Sequence, residues 1–202
     1  GASGRASFVA LNCAAIPPSL FESELFGYMR GAFTDARRDH AGLVEVAANG
    51  TLFLDEVAEV PLASQPKLLR FLQDGEFRRL GDTDVRRSSA RLIAATNRDP
   101  EEEVAAGRLR EDLFYRLNIV HLHIAPLRER PVDIPALAIQ LLTRLADRYQ
   151  LDHADLAPDA LAALTAYQWP GNIRELENVL ARALALRSGS TLTLRDLPPQ
   201  VS

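Results

Sequence analysis

The sequence predicts an α/β fold, a parallel sheet with helices packed against it, followed by a small all-α domain. Three observations predict it. Short apolar runs near residues 8–11, 50–54 and 91–95 alternate with amphipathic segments, the alternation that builds parallel sheets. Each run ends in polar residues, Asn12, Asp55-Glu56 and Thr96-Asn97. From Pro131 onward, amphipathic segments follow one another with no apolar strand between them.

Phe8-Val9-Ala10-Leu11 reads as the first strand. Pro17-Pro18 opens a helix over Ser19 to Phe26, with Leu20, Phe21, Leu25 and Phe26 at helical spacing. Gly27 and Gly31 bracket a polar loop reaching residue 42, and Leu43-Val44-Glu45-Val46 leads into the strand at 50–54. Pro61 begins a helix whose buried stripe is Leu68, Leu69 and Leu72 with Phe71 beside them. Residues 74–90, rich in Gly, Asp and Arg, read as a turn or hairpin. A strand at Arg91–Ala95, a polar helix at about 100–117 and a strand at Ile119–Ile124 complete the sheet domain. Helices over Asp133–Tyr149, Pro158–Tyr167 and Asn172–Leu186 form the second domain. The expected domains are 1–128 and 129–197, with 198–202 starting a linker.

A chain of 202 residues is long enough for one domain or a larger and a smaller one. With 23 basic and 27 acidic residues it is mildly acidic, which argues against a protein that coats nucleic acid. Cys13 is the one cysteine, so no internal disulfide forms. No apolar run approaches the roughly 18 residues of a membrane span, and a cytoplasmic protein with no membrane contact is expected.

Ligands bind at the carboxyl ends of strands in open α/β sheets, so adjacent acids there suit a metal ion and an activated water. Asp55 would hold Mg²⁺ and Glu56 would polarise the water that attacks a nucleoside triphosphate; the alternative is a solvated acidic turn. Asn97, at the same edge, can donate to a phosphate oxygen or orient that water, or can serve as a turn residue. Arg110 and Arg116 are six helical residues apart, about 600° of rotation, and so point some 120° from each other. They suit transition-state charge on a neighbouring subunit's phosphate, or surface pairing with Glu111 and Asp112. Arg174 lies opposite the stripe of Ile173, Leu176, Leu180 and Leu184, free to reach a nucleotide or simply solvated. In Gly31-Ala32-Phe33-Thr34-Asp35-Ala36, a Phe in a loop of small residues is either a partner contact or folded back on the core. His121 and His123 lack the Cys or carboxylate companions of a metal motif.

In order and spacing, these pieces resemble the central AAA+ domain of sigma-54-dependent transcriptional activators, the bacterial enhancer-binding proteins. The likeness rests on Glu22-Ser23-Glu24-Leu25-Phe26-Gly27, Gly31–Ala36, Gly50–Glu56, Ala94-Ala95-Thr96-Asn97, Arg110 to Leu117 and Trp169–Leu176. It implies that Asp55 and Glu56 are the Walker B pair and Asn97 is sensor I. Arg110 and Arg116 would be arginine fingers, Arg174 the sensor II arginine, and Asn12 the asparagine that restrains the catalytic Glu. It further implies ATP and Mg²⁺ as cofactors and a ring, usually a hexamer, that remodels sigma-54 RNA polymerase. Gly31, Ala32, Phe33, Thr34, Asp35 and Ala36 would grip sigma-54, and residues 78–87 would form a second loop moving with them. DNA would be met only through another domain.

Three departures stand out. Asp35 replaces the second Gly of the family's Gly-Ala-Phe-Thr-Gly-Ala, adding charge and removing backbone freedom. Ser89 stands where a strand-leading acid is common. No Gly-x-x-x-x-Gly-Lys-Ser/Thr occurs, although Gly1-Ala2-Ser3-Gly4 faintly echoes such a loop. The expectation is therefore an AAA+ (P-loop NTPase-like) core missing its first strand, followed by a helical lid, with little ATP turnover. The competing expectations are an AAA+ remodeller of another target and a non-enzymatic oligomerisation or interaction module.

Overall fold

The three apolar runs form β1 (Phe8–Asn12), β2 (Thr51–Asp55) and β3 (Arg91–Ala94), parallel and in the order β1-β2-β3. The computed structural model describes residues 7–152, 154–187 and 189–201, so the Gly1–Gly4 echo lies outside the described residues. The chain divides into residues 1–121 and 122–202, each holding its own apolar core.

In the first unit, strand alternation turns Leu52 and Leu54 onto one face, where both are fully buried. They share a core with Phe21, Leu25 and Phe26 of α1 (Pro18–Phe26) and with Leu68 and Phe71 of α2 (Gln65–Asp74). The opposite face is a different environment. Phe8 stacks on Phe53 with ring centroids 6.1 Å apart, yet Phe8 is 65% and Ile93 40% exposed. Parallel sheets normally carry cover on both faces, and here one face stands largely open. The far edge of β3 also pairs with no strand among the described residues.

Several local expectations are corrected. Ile119–Ile124 is not a strand: no ladder partner is present among the described residues, and Ile119, Val120, Leu122 and Ile124 lie exposed. An extended segment becomes a strand only by pairing its backbone. Leu43–Val46 forms a single helical turn. The helix expected over 100–117 is two, α3 (Pro100–Ala105) and α4 (Glu111–Leu117). Asp99 starts α3 by accepting Glu101 N–H at 2.9 Å, and Gly107, at φ +70°, turns the chain before Arg110 caps α4. Ser89 donates to the Asn49 carboxamide oxygen at 2.7 Å.

In the second unit, α5 (Ile134–Tyr149), α6 (Pro158–Ala166) and α7 (Asn172–Leu186) enclose Leu141, Leu142, Leu145, Leu164, Trp169, Leu176, Leu180 and Leu184. A two-residue parallel pair, Asp155–Leu156 with Thr191–Leu192, was not anticipated from the sequence. Such a pair is too short to leave an alternating pattern.

Candidate functional site

Parallel register sets the site. Asn12 and Asp55 are register partners at the carboxyl ends of β1 and β2. Past β3, Ala95 N–H donates to Leu54 O at 2.8 Å and Ala95 O accepts Val57 N–H at 2.9 Å, so the turn leading to Asn97 is laced to the acid pair. Asp55 Oδ1 accepts Glu56 N–H at 3.1 Å. Glu56 itself is left-handed, φ 54° and ψ 51°, a conformation costing a non-glycine residue roughly 1–2 kcal/mol. That strain turns its carboxylate to Asn97, whose backbone N–H it accepts at 3.2 Å.

The structure thus brings Asn12, Asp55, Glu56 and Asn97 to one edge. Asn12 is occupied locally: its Oδ1 accepts Ala14 N–H at 3.0 Å, capping the turn Cys13–Ala15, and no hydrogen bond joins it to Glu56 among the described residues. The thiol of Cys13 is pushed up to about 12, first by burial and then by the negative charge of Asp55, with Glu56 adding to it.

Arg98, next to Asn97, belongs to an ion-pair chain. Arg98 pairs with both Glu59 and Glu103, and Glu103 takes two bonds of 2.7 Å from Arg108. The Arg108 hydrogen bonds, with Arg98 helping, hold the Glu103 carboxyl down at about 2 against an ordinary 4.5. A depressed folded-state value stabilises above the unfolded value and is lost as pH falls through the folded one. Urea midpoints of the chain are therefore expected to fall between pH 4.5 and about 2, and Glu103→Gln to flatten that window while lowering the neutral-pH midpoint. Equal pH profiles for the two chains would refute this.

Arg110 and Arg116 sit at opposite ends of α4. Arg110 grips Asp112 through bonds of 3.0 and 2.7 Å, which raises its basicity and lowers that of Asp112. Arg116 donates to Leu72 O at 3.2 and 2.9 Å, at the end of α2. In the second unit, Arg174 is exposed on α7 and has no partner among the described residues. It lines an open groove with Asn178, Arg182, Pro198 and Gln200.

The Gly31–Ala36 loop is closed at its base by Gly31 N–H to Ala36 O at 2.8 Å. Phe33 meets Tyr28 edge-on at 4.9 Å and remains 41% exposed, so it is braced at one side and open at the other. Asp35 has no left-handed backbone, so its conformation does not call for Gly. Met29 N–H bonds Leu80 O at 3.0 Å, Leu80 N–H bonds Gly27 O at 2.9 Å, and a Cβ on Gly81 would lie 2.9 Å from that of Ala32. The two loops share one base.

Comparison with known proteins gives the family and the fold. The Sigma-54 interaction domain family matches residues 2–123, and the AAA+ ATPase lid domain family matches residues 128–202. Regulatory protein AtoC of Escherichia coli (strain K12) is 51% identical over 98% of this chain and 43% of its own length. The Nif-specific regulatory protein of Azotobacter vinelandii is 50% identical over 94% of this chain and 36% of its own. The chain thus spans less than half the length of these relatives. NtrX from Brucella abortus superimposes with a TM-score of 0.88 at 36% identity over 98% of this chain and 44% of its own, and its complex with ATP also gives 0.88. The matched regions contain the acid-pair strand, the Asn97 turn, the Gly31–Ala36 loop and the helical unit, and the chain belongs to the sigma-54 interaction domain family of AAA+ proteins, with an AAA+ lid.

Proposed function

We propose that this chain is the ATP-hydrolysing core and lid of a bacterial activator that remodels sigma-54 RNA polymerase from a ring, usually hexameric. The convergence of Asp55, Glu56 and Asn97 at one sheet edge is the observation that carries this reading. Asp55 would hold Mg²⁺, an ion that one or two carboxylates with water and phosphate oxygens suffice to bind. Mg²⁺ would neutralise charge developing on the phosphates. Glu56 orients and polarises the attacking water, which requires it to leave the Asn97 N–H. Asn97 then offers its carboxamide to the γ-phosphate, Arg174 reaches the nucleotide from the lid, and Arg110 and Arg116 act on the neighbouring subunit's phosphate. Asn12, the register partner of Asp55, would hold Glu56 in check after releasing Ala14 N–H. The complex of NtrX with ATP supports nucleotide binding by this type of domain.

For this chain as it stands turnover is impaired, because nothing in its 202 residues supplies a Gly-x-x-x-x-Gly-Lys-Ser/Thr cradle. The activator works in the cytoplasm and meets DNA through a separate domain.

Gly31 to Ala36 contact sigma-54, led by Phe33 and Thr34. The exposed edge of Phe33, propped on Tyr28, supports this, and the ordinary backbone of Asp35 lets the loop keep its form. Truncating an interfacial aromatic anchor typically costs at least about 2 kcal/mol, close to 30-fold in affinity. Phe33→Ala is expected to weaken sigma-54 binding by that order in fluorescence anisotropy, with ring assembly unchanged in size-exclusion chromatography. Unchanged affinity would redirect the proposal to another remodelling target.

A further inference from the structure

Gln65 opens α2 and is fully buried. A buried carboxamide must find partners for its donors and acceptor, and this one finds them in three separate places. Its Nε2 donates to Val60 O at 3.0 Å and to Arg108 O at 2.8 Å, while its Oε1 accepts Arg110 N–H at 2.8 Å. Val60 closes the turn that follows Glu56. Arg110 is the cap residue of α4, so its N–H has no partner within that helix. Gln65 therefore ties the segment leaving the acid pair to the backbone that carries Arg110.

Two further contacts cross the same gap. The ion-pair chain Glu59–Arg98–Glu103–Arg108 joins the acid-pair turn, the Asn97 turn and the residues before Arg110. At the other end of α2, Arg116 grips Leu72 O. Helix α2 is thus fastened to α4 at both ends, by Gln65 at its head and by Arg116 at its tail.

We propose that Gln65 is the positioning residue for the Arg110/Arg116 pair, setting α4 against the Asp55-Glu56 segment of its own subunit. The clamp thereby fixes where one subunit offers its arginines to its neighbour. This rests on the reading of Arg110 and Arg116 as acting across a ring interface.

The first test uses the 202-residue chain. Gln65→Met is expected to speed amide hydrogen exchange at Arg110 by about tenfold or more, while Phe114 N–H, bonded to Arg110 O, keeps its protection. Unchanged exchange at Arg110 overturns the proposal.

The second test uses the chain extended upstream with a strand and phosphate-binding loop. There Gln65→Met is expected to lower kcat on the order of 100-fold with KM for ATP within about twofold, as displacement of a catalytic group does. Mixing these subunits with Glu56→Gln subunits should restore turnover, because Gln65→Met retains its own site and Glu56→Gln retains its arginines. A merely structural lesion would not be rescued by mixing. Unchanged kcat, a rise confined to KM, or no rescue in intact rings overturns the proposal. Arg110→Ala separates the two levels. If it leaves kcat unchanged, the arginine reading falls and the positioning role with it; if it abolishes turnover while Gln65→Met does not, only the positioning role falls. Should Gln65→Met fail to fold, Gln65→Glu keeps the acceptor for Arg110 N–H and loses both amide donors. Retained Arg110 protection with kcat lowered about tenfold is then expected, and an unaltered kcat overturns the proposal.

Discussion

Adding a strand, a Gly-x-x-x-x-Gly-Lys-Thr loop and its helix ahead of Ser7 is expected to convert a chain for which little or no ATP turnover is expected into a Mg²⁺-dependent ATPase. The gain should be on the order of 1,000-fold or more, since transfer of a phosphoryl group depends almost wholly on positioning and charge stabilisation. The first unit gathers Asp55, Glu56 and Asn97 at one sheet edge, yet three features of the chain call for a further βα unit. Among the described residues, the far edge of β3 is unpaired, the face carrying Phe8 and Ile93 is largely open, and Ile119–Ile124 has no ladder to join. One strand inserted between β3 and another strand fills two inter-strand spacings, roughly 9–10 Å. A helix laid on the bare face would stabilise the sheet by about 2 kcal/mol for each large apolar side chain it covers. Titration with a fluorescent ATP analogue and Mg²⁺, together with phosphate release, reads the outcome in both chains. In the extended chain, Glu56→Gln should keep the analogue and lose turnover. Saturable binding by the 202-residue chain alone would mean that its phosphates are held by groups other than such a loop.

Much of this candidate site could be read in the sequence, because apolar strands that end in polar residues announce themselves. Apolar runs stopping at Asn12, Asp55-Glu56 and Asn97 carry both the sheet and its polar edge, and the three lid helices follow directly from their 3.6-residue period. What escaped was what depends on partners distant in sequence. Ile119–Ile124 has strand composition, but composition supplies no ladder. The left-handed backbone of Glu56 accompanies the Val57–Ala95 bond, a long-range contact that no local pattern encodes. Gln65 did leave a trace. It falls on the buried stripe three residues before Leu68 and seven before Leu72, and a polar residue on an apolar stripe is the mark of an internal clamp.

The largest effect on stability is expected in the second unit, from Trp169→Ala. Trp169 is fully buried, and its indole Nε1 donates to Leu164 O at 2.8 Å, one of the carbonyls that the end of α6 leaves without an intrahelical donor. Its ring meets Tyr167 edge-on at 5.0 Å. The Tyr167 hydroxyl lies 3.3 Å from Glu175 Oε1, and Glu175 Oε2 accepts Gly171 N–H at 2.8 Å at the start of α7. One side chain therefore fills the core, caps α6 and supports the turn into α7. Truncating a buried Trp costs about 3–5 kcal/mol, and an abandoned buried carbonyl adds to that. Trp169→Phe separates the two contributions, keeping most of the ring and losing the cap, for an expected loss of roughly 1–3 kcal/mol. Because each unit has its own core, urea unfolding followed by circular dichroism should become biphasic in Trp169→Ala, the lid melting first and the sheet unit keeping its midpoint. A single transition shifted as a whole would show that the units fold as one, and an unshifted one that the indole is not what holds the lid together.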